Sequence, residues 1–390
     1  MRNPITYLEE QFQNIFNSTP QVIVKAPGRI NIIGEHTDYN HGYVLPMALE
    51  QSIYVAGKKR NDSILNFTTL NTHRRSIADI NCPVRNPIEP WMDYITGVVA
   101  ELKSLGYSLT GVDGTIYGEV PIGCGLSSSA ALEMAILKLF EALNGFQLND
   151  IESAKLGQRV ENNYLGLKSG IMDQFISRCG KKEHALFIDC RTLHFELVPL
   201  QLNEYIFVVS NTNCPRGLTD SKYNERVSEC QEAVKILNYV TGKNMKYLRD
   251  FTREELEQAR NNMSDTIYRR ALHVITENQR VLDALKALKN NDIEELGRLL
   301  NQSDYSLQKY YEVTNRELEV ITEIARNIEG CIGARMTGAG FGGCTINLVR
   351  KDCVDKFIPT LLEKYEKETG RKGNCIISSP SEGACVVKVY

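Results

Sequence analysis

The segment at residues 121–130, Pro-Ile-Gly-Cys-Gly-Leu-Ser-Ser-Ser-Ala, most constrains how this chain of 390 residues can fold. Residues 114–120 before it alternate in the manner of a strand, and apolar residues after it recur at helical spacing over 132–143. The segment therefore joins a strand to a helix. Glycines let backbone N–H groups approach an anion closely, and the helix N-terminus adds unpaired donors and a positive dipole end. We predict a phosphate-binding loop at this junction.

This predicted loop is not a Walker A motif, because Gly-Lys-Ser and Gly-Lys-Thr occur nowhere in the chain. An alternative is a helix start made of small residues, whose serines only cap the helix. Three consecutive serines after Gly-x-Gly-Leu exceed what capping requires, which favours phosphate binding. One of these serines is then expected to ligate Mg²⁺.

Composition limits the class of partner. The 45 basic and 48 acidic residues give a net charge of -3, so no basic field indicates nucleic acid or an anionic membrane, and small-molecule partners fit better. Eleven cysteines without a CxxC pair indicate neither a disulfide framework nor a zinc site, and we expect reduced thiols and a cytoplasmic location. The amphipathic N-terminus lacks the apolar core of a signal peptide, and no stretch reaches the roughly 20 apolar residues of a membrane helix.

Strand and helix patterns interleave in the first half of the chain. Strands are predicted at 22–27, where proline ends the pattern, and at 52–57 and 64–69, with helices at 91–105, 128–143, 150–165 and 171–179. After a buried strand at 205–209, the chain is largely helical over 220–328. The remaining prediction is a helix at 354–368 among strands at 331–336, 344–349, 374–378 and 384–389. The change near residue 200 predicts an N-terminal domain at 1–200 and a C-terminal domain at 201–390.

A second polar cluster occupies residues 26–40, Ala-Pro-Gly-Arg-Ile-Asn-Ile-Ile-Gly-Glu-His-Thr-Asp-Tyr-Asn. Glu35, His36 and Asp38 offer carboxylates and an imidazole that can hydrogen-bond several hydroxyls at once, as a sugar requires. The alternative is a solvated turn, in which Asp and Asn are common. The flanking isoleucines favour a position beside the core.

A third segment, residues 166–175, is predicted to be a loop that enters a helix with Asp173 in the first turn. An acid at a helix N-terminus is ordinarily explained by the helix dipole, and this explanation is the stronger one from sequence alone. The same dipole would keep Asp173 ionised and able to accept a proton from a hydroxyl. Glu161, on the preceding helix, cannot be distinguished from a surface acid without a known partner.

The last segment, residues 333–344, satisfies GxGxxG at Gly338, Gly340 and Gly343. A dinucleotide fingerprint must open a helix, but residues 345–349 follow with a strand pattern, so that interpretation is excluded. A glycine-rich hairpin beside a ligand and a tight structural turn both remain open. For Trp91, the only tryptophan, a core position and stacking on an adenine likewise remain open.

Together these segments resemble the three signature motifs of the GHMP small-molecule kinases over nearly the full length. Residues 28–40 are similar to the signature of the galactose-phosphorylating members, and this long match is more specific than any glycine pattern. Residues 125–130 resemble the family's ATP loop, residues 170–174 its catalytic-aspartate segment, and residues 333–344 its third motif. The chain differs from the usual pattern at 213–216, Asn-Cys-Pro-Arg, and at Ala339.

The resemblance implies a role for each matching position. Asp173 would be the catalytic base and Arg29 the cation that assists it. Glu161 would hold Mg²⁺ with Ser129, or with Ser128 as the alternative. The sugar would contact Glu35, His36, Thr37, Asp38, Gly170 and Tyr223. ATP would contact Thr69, Trp91, Gly123, Cys124, Gly125, Leu126, Ser127, Ser128 and Ser129.

The implied fold is α+β with two domains, the first like ribosomal protein S5 domain 2 and the second ferredoxin-like. The implied reaction is phosphorylation of the anomeric C1 hydroxyl of α-D-galactose by ATP with Mg²⁺, the first committed step of the Leloir pathway. The enzyme would be a monomer or a weak homodimer, without a nucleic-acid or membrane partner.

Two other functions remain open. One is a kinase for a related sugar such as N-acetylgalactosamine, against which residues 37–40, Thr-Asp-Tyr-Asn, argue. The other is a sensor that binds ATP and sugar and signals to a transcriptional partner without catalysis. Because the serine loop and Asp173 are both complete, an enzyme is favoured over a sensor.

Overall fold

A computed structural model describes residues 3–214 and 219–390. Its first half interleaves helices and strands, as the sequence predicts. The helices are α1 Pro4–Phe16, α2 Met92–Ser104, α3 Ser128–Asn144, α4 Asp150–Arg159 and α5 Met172–Cys179. The strands are β1 Val22–Ile33, β2 Tyr43–Lys59, β3 Ile64–Thr69, β4 Arg74–Asp79, β5 Val112–Gly118, β6 His184–Asp189 and β7 Phe195–Pro199.

The second half is mainly helical, which also agrees with the prediction. Its helices are α6 Thr219–Thr241, α7 Arg253–Gln258, α8 Asp265–Lys289, α9 Ile293–Ser306, α10 Arg316–Arg326 and α11 Val354–Thr369. Its strands are β8 Tyr205–Asn211, β9 Cys331–Thr337, β10 Cys344–Arg350, β11 Asn374–Ser378 and β12 Cys385–Val389. Within the described ranges, no helix is both long and apolar enough to cross a membrane.

Two sheets organise these elements. The larger has the strand order β12-β1-β2-β5-β3-β4, with β6 beside β2 and β7 beside β6, and only β3 and β5 pair in parallel among the described strands. The smaller is an antiparallel sheet with the order β11-β8-β10-β9. Because β12 returns to the larger sheet, the C-terminal strand packs with the first half of the chain. The boundary near residue 200 stays a prediction.

The first strand does not end at Pro27, and the predicted break there is wrong. β1 continues to Ile33 and pairs with β2 along its length, with a register shift between Pro27 and Arg29. Proline has no N–H for the ladder, and a bulge accommodates it inside a strand. The bulge therefore carries Arg29 and the polar run after it on a continuous strand through the core.

Helix α3 packs on β1 and β2, and α5 packs beside it on the same strands. The apolar residues of α3, together with those of α8 and α9, form one core with the larger sheet, and those of α5 form a second cluster with residues of β2 and β6. The first turns of α3 and α5 thereby lie against the middle of β1. The hairpin β9–β10 closes this region from the other half, and its turn holds Gly338, Gly340, Gly342 and Gly343, all with positive φ.

Candidate active site

An ion pair between β1 and α5 forms the centre of the site. Arg29 Nε and Nη2 donate to the two carboxylate oxygens of Asp173 at 2.8 and 2.7 Å, and the Ser127 hydroxyl donates to Asp173 Oδ2. Arg29 Nη1 donates to the Gly125 carbonyl at 2.5 Å. Bidentate pairing fixes the orientation of both groups. Asp173 does lie in the first turn of its helix, but its carboxylate faces these partners, so the helix dipole alone does not explain it.

The loop that precedes α3 is held on β1 by backbone contact. The N–H of Arg29 donates to the Leu126 carbonyl at 3.0 Å, and a Cβ on Gly28 would come within 2.6 Å of that same oxygen. A side chain at position 28 would therefore push the loop away. Leu126 itself is buried and lies in neither cavity wall described below.

The serines of this loop do not cap α3. Ser127 occupies the N-cap position with φ of 58° and makes no capping hydrogen bond through its side chain. Its hydroxyl is directed to Asp173 instead, so the capping alternative is wrong for this residue. Ser129 Oγ donates to Glu161 Oε1 at 3.2 Å.

On one side of the ion pair lies a cavity of about 190 Å³, here called the inner cavity. Residues from both halves of the chain line it. They are Arg29, Glu35, His36, Asp38, Glu161, Leu167, Lys168, Ser169, Gly170, Met172, Asp173, Tyr223, Asn224, Gly338 and Ala339.

Glu35 links the polar run to the glycine-rich turn. Its Oε1 accepts from the Gly338 N–H at 2.8 Å and lies 3.1 Å from Nη2 of Arg335, which is fully buried. Arg335 Nη1 also donates to the carbonyls of Asn31 and Ile32, each at 2.8 Å. The hairpin therefore contacts Glu35 through its backbone, and Gly338 and Ala339 line the inner cavity, while a ligand contact of residues 333–344 stays a prediction. Arg335 had no signal in the sequence beyond its place in a buried strand.

Asp38 and Gly170 meet at the wall of the inner cavity. A Cβ on Gly170 would lie only 1.6 Å from Asp38 Oδ2, so only glycine allows the carboxylate to sit there. Desolvation by burial, aided by the charge of Asp173, raises the pKa of Asp38 to about 7. Asp38 can therefore donate a hydrogen bond as well as accept one near neutral pH.

The remaining residues predicted to contact a sugar differ in their placement. Tyr223 and His36 line the inner cavity, with ring centroids 5.6 Å apart. Thr37 does not line it: this residue is fully buried, and its hydroxyl lies within hydrogen-bond distance of the carbonyls of Gly34 and Tyr43. Thr37 thus stabilises the turn rather than a cavity wall.

On the other side of the ion pair lies a larger, outer cavity of about 1170 Å³. The predicted ATP contacts Thr69, Trp91, Gly123, Cys124, Gly125, Ser127, Ser128 and Ser129 all line it. Sequence reasoning missed Asn71, Tyr94 and Asn211 in the same wall, because single polar residues at the end of a strand or the start of a helix have no periodic signal. The difference noted at 213–216 lies partly outside the described residues, which end at 214 and resume at 219.

Glu161, in the wall of the inner cavity, and Glu133 form a buried acidic pair. Burial raises the pKa of Glu161, and it also holds the pKa of the neighbouring Glu133 well above its usual range. Glu133 Oε2 accepts from Gln174 Nε2 at 3.2 Å, and its other oxygen has no partner. Among the described residues no cluster of three His, Cys, Asp or Glu side chains has metal-binding geometry. The serine hydroxyl and carboxylate of Ser129 and Glu161 are nevertheless the hard oxygen donors that Mg²⁺ prefers.

Three family models match separate parts of the chain. The galactokinase galactose-binding signature matches residues 10–59, the N-terminal domain of GHMP kinases matches residues 93–181, and their C-terminal domain matches residues 284–367. The first covers the polar run and the second the serine loop, Glu161 and Asp173. These matches agree with the motifs of the sequence.

Curated relatives and a solved structure extend the similarity to the whole chain. Galactokinases of Fusobacterium nucleatum and Clostridium acetobutylicum are each 41% identical and cover 98% and 97% of this chain, over 99% and 98% of their own lengths. The structure of Lactococcus lactis galactokinase complexed with galactose is 37% identical, with a TM-score of 0.94 over 98% of this chain and 100% of that one. A mevalonate kinase structure, 22% identical with a TM-score of 0.65, shares the fold. The chain therefore belongs to the galactokinase family of GHMP kinases, enzymes that phosphorylate galactose with ATP.

Proposed function

We propose that the protein transfers the γ-phosphoryl group of ATP to the C1 hydroxyl of α-D-galactose in the inner cavity. The observation that carries this proposal is that Arg29 and Asp173 line both cavities. A sugar in the inner cavity and phosphates in the outer cavity would meet at this ion pair. Such positioning, with charge neutralisation, supplies most of the acceleration in phosphoryl transfer.

In this proposal Asp173 takes or orients the proton of the C1 hydroxyl. Its carboxylate accepts hydrogen bonds from Arg29 and Ser127, which hold it in one orientation without closing off the cavity. Its side chain remains 29% exposed while that of Arg29 is only 5% exposed. The accessible carboxylate can therefore reach a substrate, and the buried guanidinium balances its charge.

The other hydroxyls of the sugar are assigned to four residues of the inner cavity. Glu35 and Asp38 provide carboxyl oxygens, Gly170 leaves room beside Asp38, and Tyr223 supplies a phenol from the C-terminal half. A site built from hydrogen-bonding groups rejects analogues that leave those groups unpaired. This donor set favours galactose over a sugar with a bulky N-acetyl group.

The phosphates of ATP are assigned to the backbone N–H groups of residues 123–129 at the start of α3. Ser129 and Glu161 would hold Mg²⁺, a role supported by their hydroxyl–carboxylate contact of 3.2 Å. When bound, Mg²⁺ neutralises charge on the phosphate oxygens. When ATP binding is titrated with Mg²⁺, Ser129→Ala should weaken the enhancement by Mg²⁺ more than Ser128→Ala does. The reverse order would assign the ion to Ser128.

The decisive experiment is Asp173→Asn with a panel of sugars, ATP and Mg²⁺, followed by ADP release. We expect kcat with galactose to fall by about 100- to 10,000-fold, the usual contribution of a positioned base. Asp355→Asn is the matched control, because Asp355 is exposed and also lies in the first turn of a helix. Near-normal turnover of a folded Asp173→Asn protein would refute the role of Asp173. Binding of galactose and ATP to the unaltered protein without ADP release would indicate a sensor.

We also propose a monomer or weak homodimer in a reducing, cytoplasmic environment. None of the eleven cysteines, which all lie in the described ranges, forms a disulfide, as such an environment favours. Sedimentation at several concentrations tests the oligomeric state, and a concentration-independent dimer would contradict it.

A further inference from the structure

Both ring nitrogens of His36 are engaged within the protein, although the residue lines the inner cavity. Nε2 lies 3.2 Å from the Ala339 carbonyl and Nδ1 lies 2.9 Å from the Tyr39 hydroxyl. Burial lowers the pKa of His36 to about 3, so the ring is neutral and carries one N–H. A carbonyl can only accept, which places that hydrogen on Nε2. Nδ1 must then accept from Tyr39.

The direction of every further hydrogen bond follows from this assignment. Since Tyr39 donates its only hydroxyl hydrogen to His36, the contact of 2.7 Å between Tyr39 and Tyr311 requires Tyr311 to donate. The hydrogen of Tyr311 is then used, so Cys230 Sγ, 3.2 Å away, donates to its oxygen. Asn40 Nδ2 lies 3.6 Å from that sulfur and completes the chain. Each of these polar hydrogens is therefore assigned to one hydrogen bond.

This chain of hydrogen bonds joins three distant parts of the sequence. Cys230 lies on α6, and Tyr311 ends a π-helical turn at Leu307–Tyr311 and is fully buried. The Tyr311 ring lies against His36 and His273, with centroids 5.0 and 4.4 Å apart. His36 itself has φ of 61°, a strained value for a residue other than glycine. Surrounding structure must hold such a residue in place.

We propose that Tyr39, Tyr311 and Cys230 are positioning residues that keep His36 in its Nε2–H form and thereby clamp the turn of residues 34–38 to Ala339. Both segments joined in this way contribute residues to the inner cavity wall. This proposal rests on the assignment of that cavity to galactose. In this proposal His36 stabilises the cavity wall, and neither of its ring nitrogens is available to bind a sugar hydroxyl.

Loss of one donor should weaken binding of the sugar more than binding of the nucleotide. Without the Tyr39 hydroxyl, Nδ1 of His36 would be a buried acceptor with no donor, which makes the ring, and the turn that it ties to Ala339, less firmly held. We expect Tyr39→Phe and Tyr311→Phe to raise KM for galactose by about 3- to 10-fold, the equivalent of one net hydrogen bond. KM for ATP should rise less than KM for galactose, because Ala339 is the only clamped residue that also lines the outer cavity, and neither tyrosine does.

The tautomer provides a readout that a merely structural role would not change. In protein labelled with ¹⁵N-histidine, the signals of His36 are identified by their loss in His36→Asn. We expect the wild-type protein to show a protonated Nε2 and an unprotonated Nδ1, and Tyr39→Phe to shift the Nδ1 signal because its lone pair has lost the donor. Tyr305→Phe is the matched control, because this tyrosine is 55% exposed on α9.

Conservative replacement of Cys230 tests the far end of this chain of hydrogen bonds. Cys230→Ser keeps a donor and should retain the wild-type KM for galactose, whereas Cys230→Ala should raise it. Unchanged His36 signals and an unchanged galactose KM in both tyrosine variants would overturn the proposal, and so would equal increases in the KM for galactose and ATP. Failure of the proposed function is distinguishable, because it appears as absent galactose turnover in the wild-type protein while the tautomer is still observed.

Discussion

Replacement of Gly170 by alanine tests the inner cavity, which is assigned to the sugar. The new Cβ would lie 1.6 Å from Oδ2 and 2.1 Å from Cγ of Asp38. An ordinary carbon–oxygen contact needs about 3.5 Å, so the carboxylate must withdraw by roughly 2 Å from its place in the cavity wall. The two closest obstructing atoms are at the end of the Asp38 side chain, and its Cβ, at 2.9 Å, needs to shift only by a few tenths of an ångström. The fold can therefore absorb the change, but the carboxyl group leaves its position.

The expected loss is large for catalysis and small for stability. A displacement of 1 Å in a positioned group can cost about 100-fold in rate, so we expect kcat/KM for galactose to fall by about 100-fold or more. The free energy of unfolding should change by less than about 1 kcal/mol, because Gly170 has no left-handed φ that alanine would strain. Steady-state kinetics with each substrate varied, together with urea denaturation, measure both quantities. KM for ATP should stay at its wild-type value.

Gly145→Ala provides the opposite pattern as a control. Gly145 ends α3 with φ of 73° and open space around its Cβ position. Alanine there should cost about 1 kcal/mol of stability and leave kcat/KM unchanged. If Gly170→Ala keeps wild-type kcat/KM, the contact between Gly170 and Asp38 does not position a substrate-binding group, and the reasoning fails.

Three further predictions concern titration and nucleotide binding. Burial raises the pKa of Asp38 from its usual 3.8 to about 7, so its contribution to stability is present at acid pH and is lost as pH rises through 7. The Tm of the wild-type protein relative to that of Asp38→Asn should therefore fall between pH 4 and 7. A constant difference in Tm would contradict this. Burial lowers the pKa of His36 to about 3 and of His273 to about 4, so stability should be lost as pH falls below 6.5. In His273→Gln the slope of unfolding free energy against pH should be shallower by up to about 1.4 kcal/mol per unit, and equal slopes would refute the assignment. Finally, the single tryptophan, Trp91, lines the outer cavity and donates a hydrogen bond to Glu89 at 2.6 Å. Binding of ATP should therefore change the fluorescence of Trp91 in a saturable titration. An unchanged fluorescence with ATP bound would place the adenine elsewhere.

Local patterns predicted most of the secondary structure, and the misses have physical causes. The helix at 128–143 and the strand at 64–69 match α3 and β3 almost to the residue, because their apolar periodicity is strong. The strand at 22–27 was cut short, since a proline inside a strand is tolerated only through a bulge that pairing with β2 creates. β4, β6 and β7 were missed because short strands with mixed burial give little alternation. The predicted helix at 150–165 ends in a π-helical turn, Val160–Leu165, that no residue pattern announces.

The sequence by itself determined which residues could do chemistry: a glycine-serine loop before a helix, a polar run beside apolar residues, and an acid at a helix start. Each had two interpretations, because residue type and spacing describe only what a short segment can do. The tertiary structure decided among them by packing α3 and α5 on β1, which brings Asp173 to Arg29 across 144 positions and Ser127 to the same carboxylate. It also brought Glu161 within hydrogen-bond distance of Ser129, and it buried Thr37 and Leu126 away from the cavity walls. Distances between residues far apart in the chain depend on the summed packing of whole elements, and no single segment carries that information.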